Sequence, residues 1–77
     1  MMINEYIVEI NLNSSYNNII PIAVREENSE LALNKVQGML NVKDGWIHLE
    51  DISGAKYRVK NEYITYLRVL SNQEVIR

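Results

Sequence analysis

Hydrophobic alternation with a period of two runs through both ends of this 77-residue chain and is interrupted once, between Asn28 and Asn41, by a stripe at i, i+4 and i+7. Successive side chains of a strand point to opposite faces, whereas a helix returns to one face about every 3.6 residues. The change of period therefore commits the chain to strands flanking a single helix. In the first strand Tyr6, Val8, Ile10 and Leu12 alternate with Glu5, Ile7, Glu9 and Asn11. The turn formers Asn13, Ser14, Ser15, Tyr16, Asn17 and Asn18 end it. Ile19 to Arg25 follow with Ile20, Ile22 and Val24 on one face, and Pro21, which cannot donate to a ladder, favours an edge or a bulge. Residues 1–25 read as a β-hairpin.

The spacing predicts one amphipathic helix over 29–41, with Ala32, Leu33, Val36 and Leu40 as its apolar stripe. Asn28 or Ser29 can cap its first amides, and Glu26, Glu27 and Glu30 suit its positive end. Gly38 within it costs about 1 kcal/mol against Ala, which points to a close helix-sheet contact or to fraying.

Residues 46–70 read as a three-stranded meander, and the loop after Glu50 decides its faces. A four-residue loop, 51–54, opposes Leu49 to Lys56 and mixes apolar with charged groups on each face. A three-residue loop, 52–54, with Gly54 in the left-handed conformation of a bulge, opposes Leu49 to Tyr57 and Ile47 to Val59. A slip of one residue inverts a whole strand, so the register that sorts the faces is preferred. Asn61-Glu62 then serves as a tight turn that sets Lys60 against Tyr63 and Val59 against Ile64. The core face holds Ile47, Leu49, Tyr57, Val59, Ile64 and Tyr66. The outer face carries Trp46, Lys60 and Tyr63 in one row, His48, Arg58 and Thr65 in the next, and Glu50, Lys56 and Leu67 in the third, with Val69 beyond. Residues 71–77, polar and then apolar at Val75 and Ile76, read as a tail or a strap onto a neighbour. The expected fold is one α+β domain over 1–77, of order ββαβββ, an antiparallel sheet with the helix packed on one face.

A chain this short buries a core that only just offsets the entropy of folding, so a homo-oligomer is expected. The formal charge of -2 and pI near 5.3 argue against nonspecific nucleic-acid binding. The charge is uneven: residues 1–42 carry five acids against Arg25 and Lys35, whereas 43–68 carry Lys43, Lys56, Arg58, Lys60 and Arg68 against four acids. No cysteine is present, which excludes disulfides, thiolate metal sites and cysteine nucleophiles and fits a reducing cytoplasm. The N-terminal residues lack the basic segment and long apolar run of a signal peptide, and no apolar run is long enough to span a bilayer. A cytoplasmic location with no membrane partner is expected.

Catalysis finds little to build on. Nucleophilic catalysis needs a base beside the nucleophile and a group to orient it, and the only histidine, His48, has its nearest acids, Glu50 and Asp51, in its own strand and turn. One histidine with no cysteine makes a poor zinc site, and three isolated glycines make no phosphate loop. The expectation is no enzyme, no metal and no cofactor. What stands out is Trp46, His48, Lys56, Arg58, Lys60 and Tyr63 on one sheet face. The aromatics can stack a base or cap a guanidinium, and the cations can bind phosphate or carboxylate oxygens. The plain alternative is a solvated face of ordinary cross-strand pairs. Exposed Leu67 and Val69 beside this patch argue for a protein interface.

The run from Trp46 to Asp51, continuing through Gly54, Tyr57, Val59 and Ile64, resembles a meander found in short bacterial and phage proteins. The ten asparagines and ten isoleucines resemble the usage of AT-rich genomes such as those of low-GC Gram-positive bacteria and their phages. The resemblance implies an inhibitor of host machinery, including host immunity. The expected function is a non-enzymatic protein that binds a host protein or sequesters a small anionic, nucleotide-like ligand. The alternatives are a small nucleic-acid-binding regulator and a structural or assembly protein.

Overall fold

A computed structural model describes residues 3–13 and 19–70. The expected turn at 14–18 and the tail at 71–77 lie outside them. The element order is β1 (Asn4–Leu12), β2 (Ile19–Glu26), α1 (Ser29–Met39), β3 (Trp46–Glu50), β4 (Lys56–Lys60), a 3-10 turn (Asn61–Tyr63) and β5 (Ile64–Val69). This is the α+β arrangement ββαβββ, with antiparallel strands and the helix on one face.

The first hairpin pairs Val8 with Ile22 and Ile10 with Ile20, so the apolar positions of both strands share a face. Val8, Ile10, Ile20, Ile22 and Val24 are buried there with Ala32 and Val36 of α1 and Ile47 and Leu49 of β3. Pro21 sits on an edge strand, opposite Glu9, and its carbonyl accepts the Ile52 N–H at 3.1 Å. That bond ties the tip of the second hairpin to the free side of β2.

Asn28, in extended conformation, caps α1: its side-chain oxygen accepts the Leu31 N–H at 2.9 Å. The helix ends at Met39 rather than 41 because its last turn tightens. The Leu40 N–H is shared between the Val36 and Gln37 carbonyls, and the Asn41 N–H reaches only to Gly38 O. A Cβ at Gly38 would meet no atom within 4 Å, so the close helix-sheet contact expected there is not found. Gly38 lies in the last turn of the helix.

The second hairpin has the register expected of the three-residue loop. Trp46 opposes Lys60, Ile47 opposes Val59, His48 opposes Arg58, Leu49 opposes Tyr57 and Glu50 opposes Lys56. Gly54 has φ +92°, and its N–H donates to Asp51 O at 3.0 Å. The third strand of the meander is a correction. β5 does not add to β4; it crosses to β1, so the sheets run β2-β1-β5 and β3-β4. Asn61 and Glu62 begin a 3-10 turn instead of a tight reversal, and the Asn13 N–H holds Tyr63 O at 2.7 Å, anchoring the turn beside the end of β1.

A second correction follows from a bulge in β5. Asn11 pairs with Tyr66 but Leu12 pairs with Ile64, so Thr65 is the extra residue, and its hydroxyl donates to Asn11 O at 3.1 Å. The alternation is reset: Ile64, Leu67 and Val69 pack against the core, and Tyr66 is 56% exposed. Leu67 and Val69, expected on the outer face, and Tyr66, expected in the core, have exchanged places.

Candidate functional site

The β3–β4 hairpin presents two unlike faces because its register is fixed at the loop. Asp51 follows β3 and gathers the loop around its carboxylate. Oδ1 accepts the Ser53 hydroxyl at 2.6 Å, the Ser53 N–H at 2.9 Å and the Ala55 N–H at 3.1 Å, and Oδ2 accepts the Tyr57 hydroxyl at 2.9 Å. The Ser53 hydroxyl does most to hold the Asp51 carboxyl below its usual 3.8, with the other donors adding to it and desolvation opposing it. Tyr57 is shifted the other way: its hydrogen bond to Asp51 raises it above 10.0. Sequence reasoning passed over Asp51 as a turn former. The Asp-x-Ser-Gly spacing, in which an aspartate can accept from the backbone two residues on, was the signal available.

A group with a lowered native pKa contributes stability above its unfolded value and loses it as pH falls; a group with a raised one contributes below its unfolded value and loses it as pH rises. The Asp51–Tyr57 clasp is therefore at full strength between pH 3.8 and 10.0. Asp51→Asn should melt at a lower temperature than the parent at pH 7, and the difference should shrink as pH is taken below 3.8. A gap that stays constant down to acid would dismiss the carboxylate as the organiser of this loop.

The outer face of the hairpin carries Trp46 opposite Lys60, His48 opposite Arg58 and Glu50 opposite Lys56, the β3 and β4 members of the predicted rows. Trp46 is 43% exposed, and Lys60 Nζ lies 5.1 Å from the centre of its ring, a cation–π contact worth about 0.5–1 kcal/mol at such a site. Gly45, at φ +82°, lets the chain enter β3 here, and its carbonyl accepts the Asn61 N–H at 2.7 Å. His48 and Arg58 form the next row, and Glu50 and Lys56 the last, all four exposed. An open depression of about 540 Å³ is lined by His48, Leu49, Glu50, Lys56, Tyr57 and Arg58.

Tyr63 does not join them by strand pairing. It is 51% exposed on the 3-10 turn, where no ladder sets it beside Lys60, and Thr65 and Leu67 have left with β5. Ion pairs among the described residues lie elsewhere: Lys35 with Glu26 at 3.5 Å, and Arg68 with Glu9 at 2.7 Å across the β1–β5 ladder. No group of three or more His, Cys, Asp or Glu residues among those described could hold a metal ion. No helix among them is long and apolar enough to cross a membrane. Fold and surface together define a small α+β protein with an exposed cationic and aromatic hairpin face. Compared with known proteins, the chain matches no family model, no curated protein and no solved structure.

Proposed function

We propose that this is a non-enzymatic binding protein that holds an acidic protein partner on the outer face of β3–β4. The observation that carries the reading is that Lys56, Arg58 and Lys60 share that face with Trp46 while the ion pairs among the described residues involve other cations. Lys56 and Arg58, exposed on the face that carries the indole, can form charge-assisted hydrogen bonds to carboxylates without first breaking either of those ion pairs, each worth about 1.5–3 kcal/mol. The depression on this face is open rather than closed over, which suits a partner's surface better than an enclosed small molecule. If the likeness to short phage proteins extends to function, the partner belongs to host machinery.

Trp46 is the only tryptophan, so its emission reports on this face alone. Titration with a glutamate-rich peptide should change that emission. Arg58→Glu should weaken binding by about tenfold or more, and Lys35→Ala, at the helix ion pair, should leave it unchanged. Equal affinity of the Arg58→Glu protein for the peptide would remove the assignment. Tight binding of single-stranded DNA with a steep loss on adding salt would favour the nucleic-acid alternative instead.

A further inference from the structure

The departure of β5 to the other sheet leaves the outer side of β4 without a neighbour among the described residues. Which backbone groups this exposes follows from the ladder. The Asp51 N–H donates to Ala55 O at 2.9 Å, and the Asn61 N–H to Gly45 O at 2.7 Å. In an antiparallel pair every second residue turns both its N–H and its C=O toward the partner, so Tyr57 and Val59 spend theirs on β3. The N–H and C=O of Lys56 and Arg58 point away from β3, along an open edge. The side chains beside that edge are also incompletely covered. Tyr57 and Val59 pack against the core yet are only half-buried, whereas their cross-strand partners Leu49 and Ile47 are buried.

We infer that the open edge of β4 receives an extended acidic segment of a partner protein as an added strand. Main-chain hydrogen bonds to Lys56 and Arg58 would hold the segment. Its alternate side chains would fall on two unlike rows: acids beside Lys56, Arg58 and Lys60, and small apolar groups over Tyr57 and Val59. The occupant is therefore an alternation of Asp or Glu with apolar residues. Charge sets this segment above a second copy of the chain. Two β4 strands paired about a twofold axis would set Lys56, Arg58 and Lys60 against one another, and like charges directly opposite destabilise a ladder. The β5 edge is no better as a neighbour, since it carries Arg68 and no acid. This inference rests on the proposed acidic-partner reading and adds to it the mode of binding and the pattern of the ligand.

The test uses the full chain and an acetylated peptide of about nine residues alternating Glu with Val, long enough to cover the five-residue β4. Two further peptides carry N-methyl groups on all Glu or on all Val backbone nitrogens, which blocks one alternating set of donors and keeps the charge. Trp46 emission gives the affinities, and amide exchange followed by NMR reports on Arg58. The expected result is that the parent peptide binds, and one N-methylated peptide loses about tenfold or more in affinity while the other keeps it. The Arg58 N–H should exchange at least about tenfold more slowly in the complex. Equal binding of all three peptides, without protection of Arg58, would overturn strand addition and leave the acidic-partner reading standing. No binding of any of them at about 1 mM would overturn both. A protein that self-associates with its Arg58 amide already protected would show that the edge belongs to a second copy, and the inference would fall.

Discussion

Ile10→Ala is expected to lower the melting temperature by about 10–30 °C, enough to leave the protein largely unfolded at physiological temperature if the parent is ordinary for its size. Ile10 is fully buried on the central strand of the three-stranded sheet, between Ile20 of β2 and Leu67 of β5. Removing a buried isoleucine side chain to its Cβ costs about 2–5 kcal/mol, part from lost transfer energy and part from the cavity that the neighbours do not fill. Three backbone strands meet at this position, which limits their collapse and sets the cost toward the upper end. A chain of this length has a total stability of about 4–12 kcal/mol, and each kcal/mol lost moves the melting point of such a domain by about 4–8 °C. Ile52, 58% exposed at the tip of the second hairpin, is the control: its replacement by Ala should change stability by no more than about 0.5 kcal/mol. Thermal melts of the two variants followed by circular dichroism check both halves. An Ile10→Ala protein that melts within a few degrees of the parent would mean that the core is not where the β1–β2 register puts it.

The buried faces of the first hairpin were legible because each of its apolar runs has one face to bury, and a slip of one residue would expose Val8 and Ile10 together; the pairs themselves come from the structure. The second hairpin was legible for another reason. Its faces depended on the loop length, and of the two loops ending at Gly54 the three-residue one alone sorted apolar from charged side chains; Gly54 supplies the positive φ that its bulge needs. The rows Trp46–Lys60 and His48–Arg58 came with that choice, which is why most of the candidate face stood in the sequence. Tyr63 did not, because its place rested on which strand β5 would join. Period-two alternation says which way side chains point and nothing about the neighbour; Asn61-Glu62, without glycine, gave no positive signal for a reversal. The opposite charges of Glu9 and Arg68, directly paired across β1 and β5, were in the sequence but could be read as a pair only once the strands were known to meet. The bulge is less legible still. Thr65 bears no mark that sets it apart from an ordinary strand residue, and the extra position shows only as a register shift against β1.

The bulge makes a prediction that strict alternation from Ile64 would reverse. Leu67→Asp should destabilise the protein by about 3 kcal/mol or more, and Tyr66→Asp by less than about 1 kcal/mol. Strict alternation would bury Tyr66 with Ile64 and expose Leu67, giving the opposite order. In the structure the extra residue at Thr65 restores an inward side chain one position late, so Leu67 opposes Ile10 and packs against the core. The cation next to it in the strand is turned away: the Arg68 side chain is on the other side of the sheet, where Glu9 accepts its Nε and Nη2 hydrogens at 3.0 and 2.7 Å, and on the core face Leu67 shares a depression with the acid Glu30. The charge would sit partly buried among apolar neighbours, and its protonation on lowering the pH should restore part of the lost stability, since a desolvated carboxyl has a raised pKa and favours the fold more when neutral. Tyr66, by contrast, already stands in solvent opposite Asn11, and an aspartate in its place keeps its water. Urea titrations of both variants at neutral pH decide the order, and a repeat of Leu67→Asp at about pH 4 checks the cause. If Tyr66→Asp proves the more damaging, β5 alternates without the bulge, Leu67 and Val69 return to the surface, and the greasy patch expected from the sequence regains its claim as an interface.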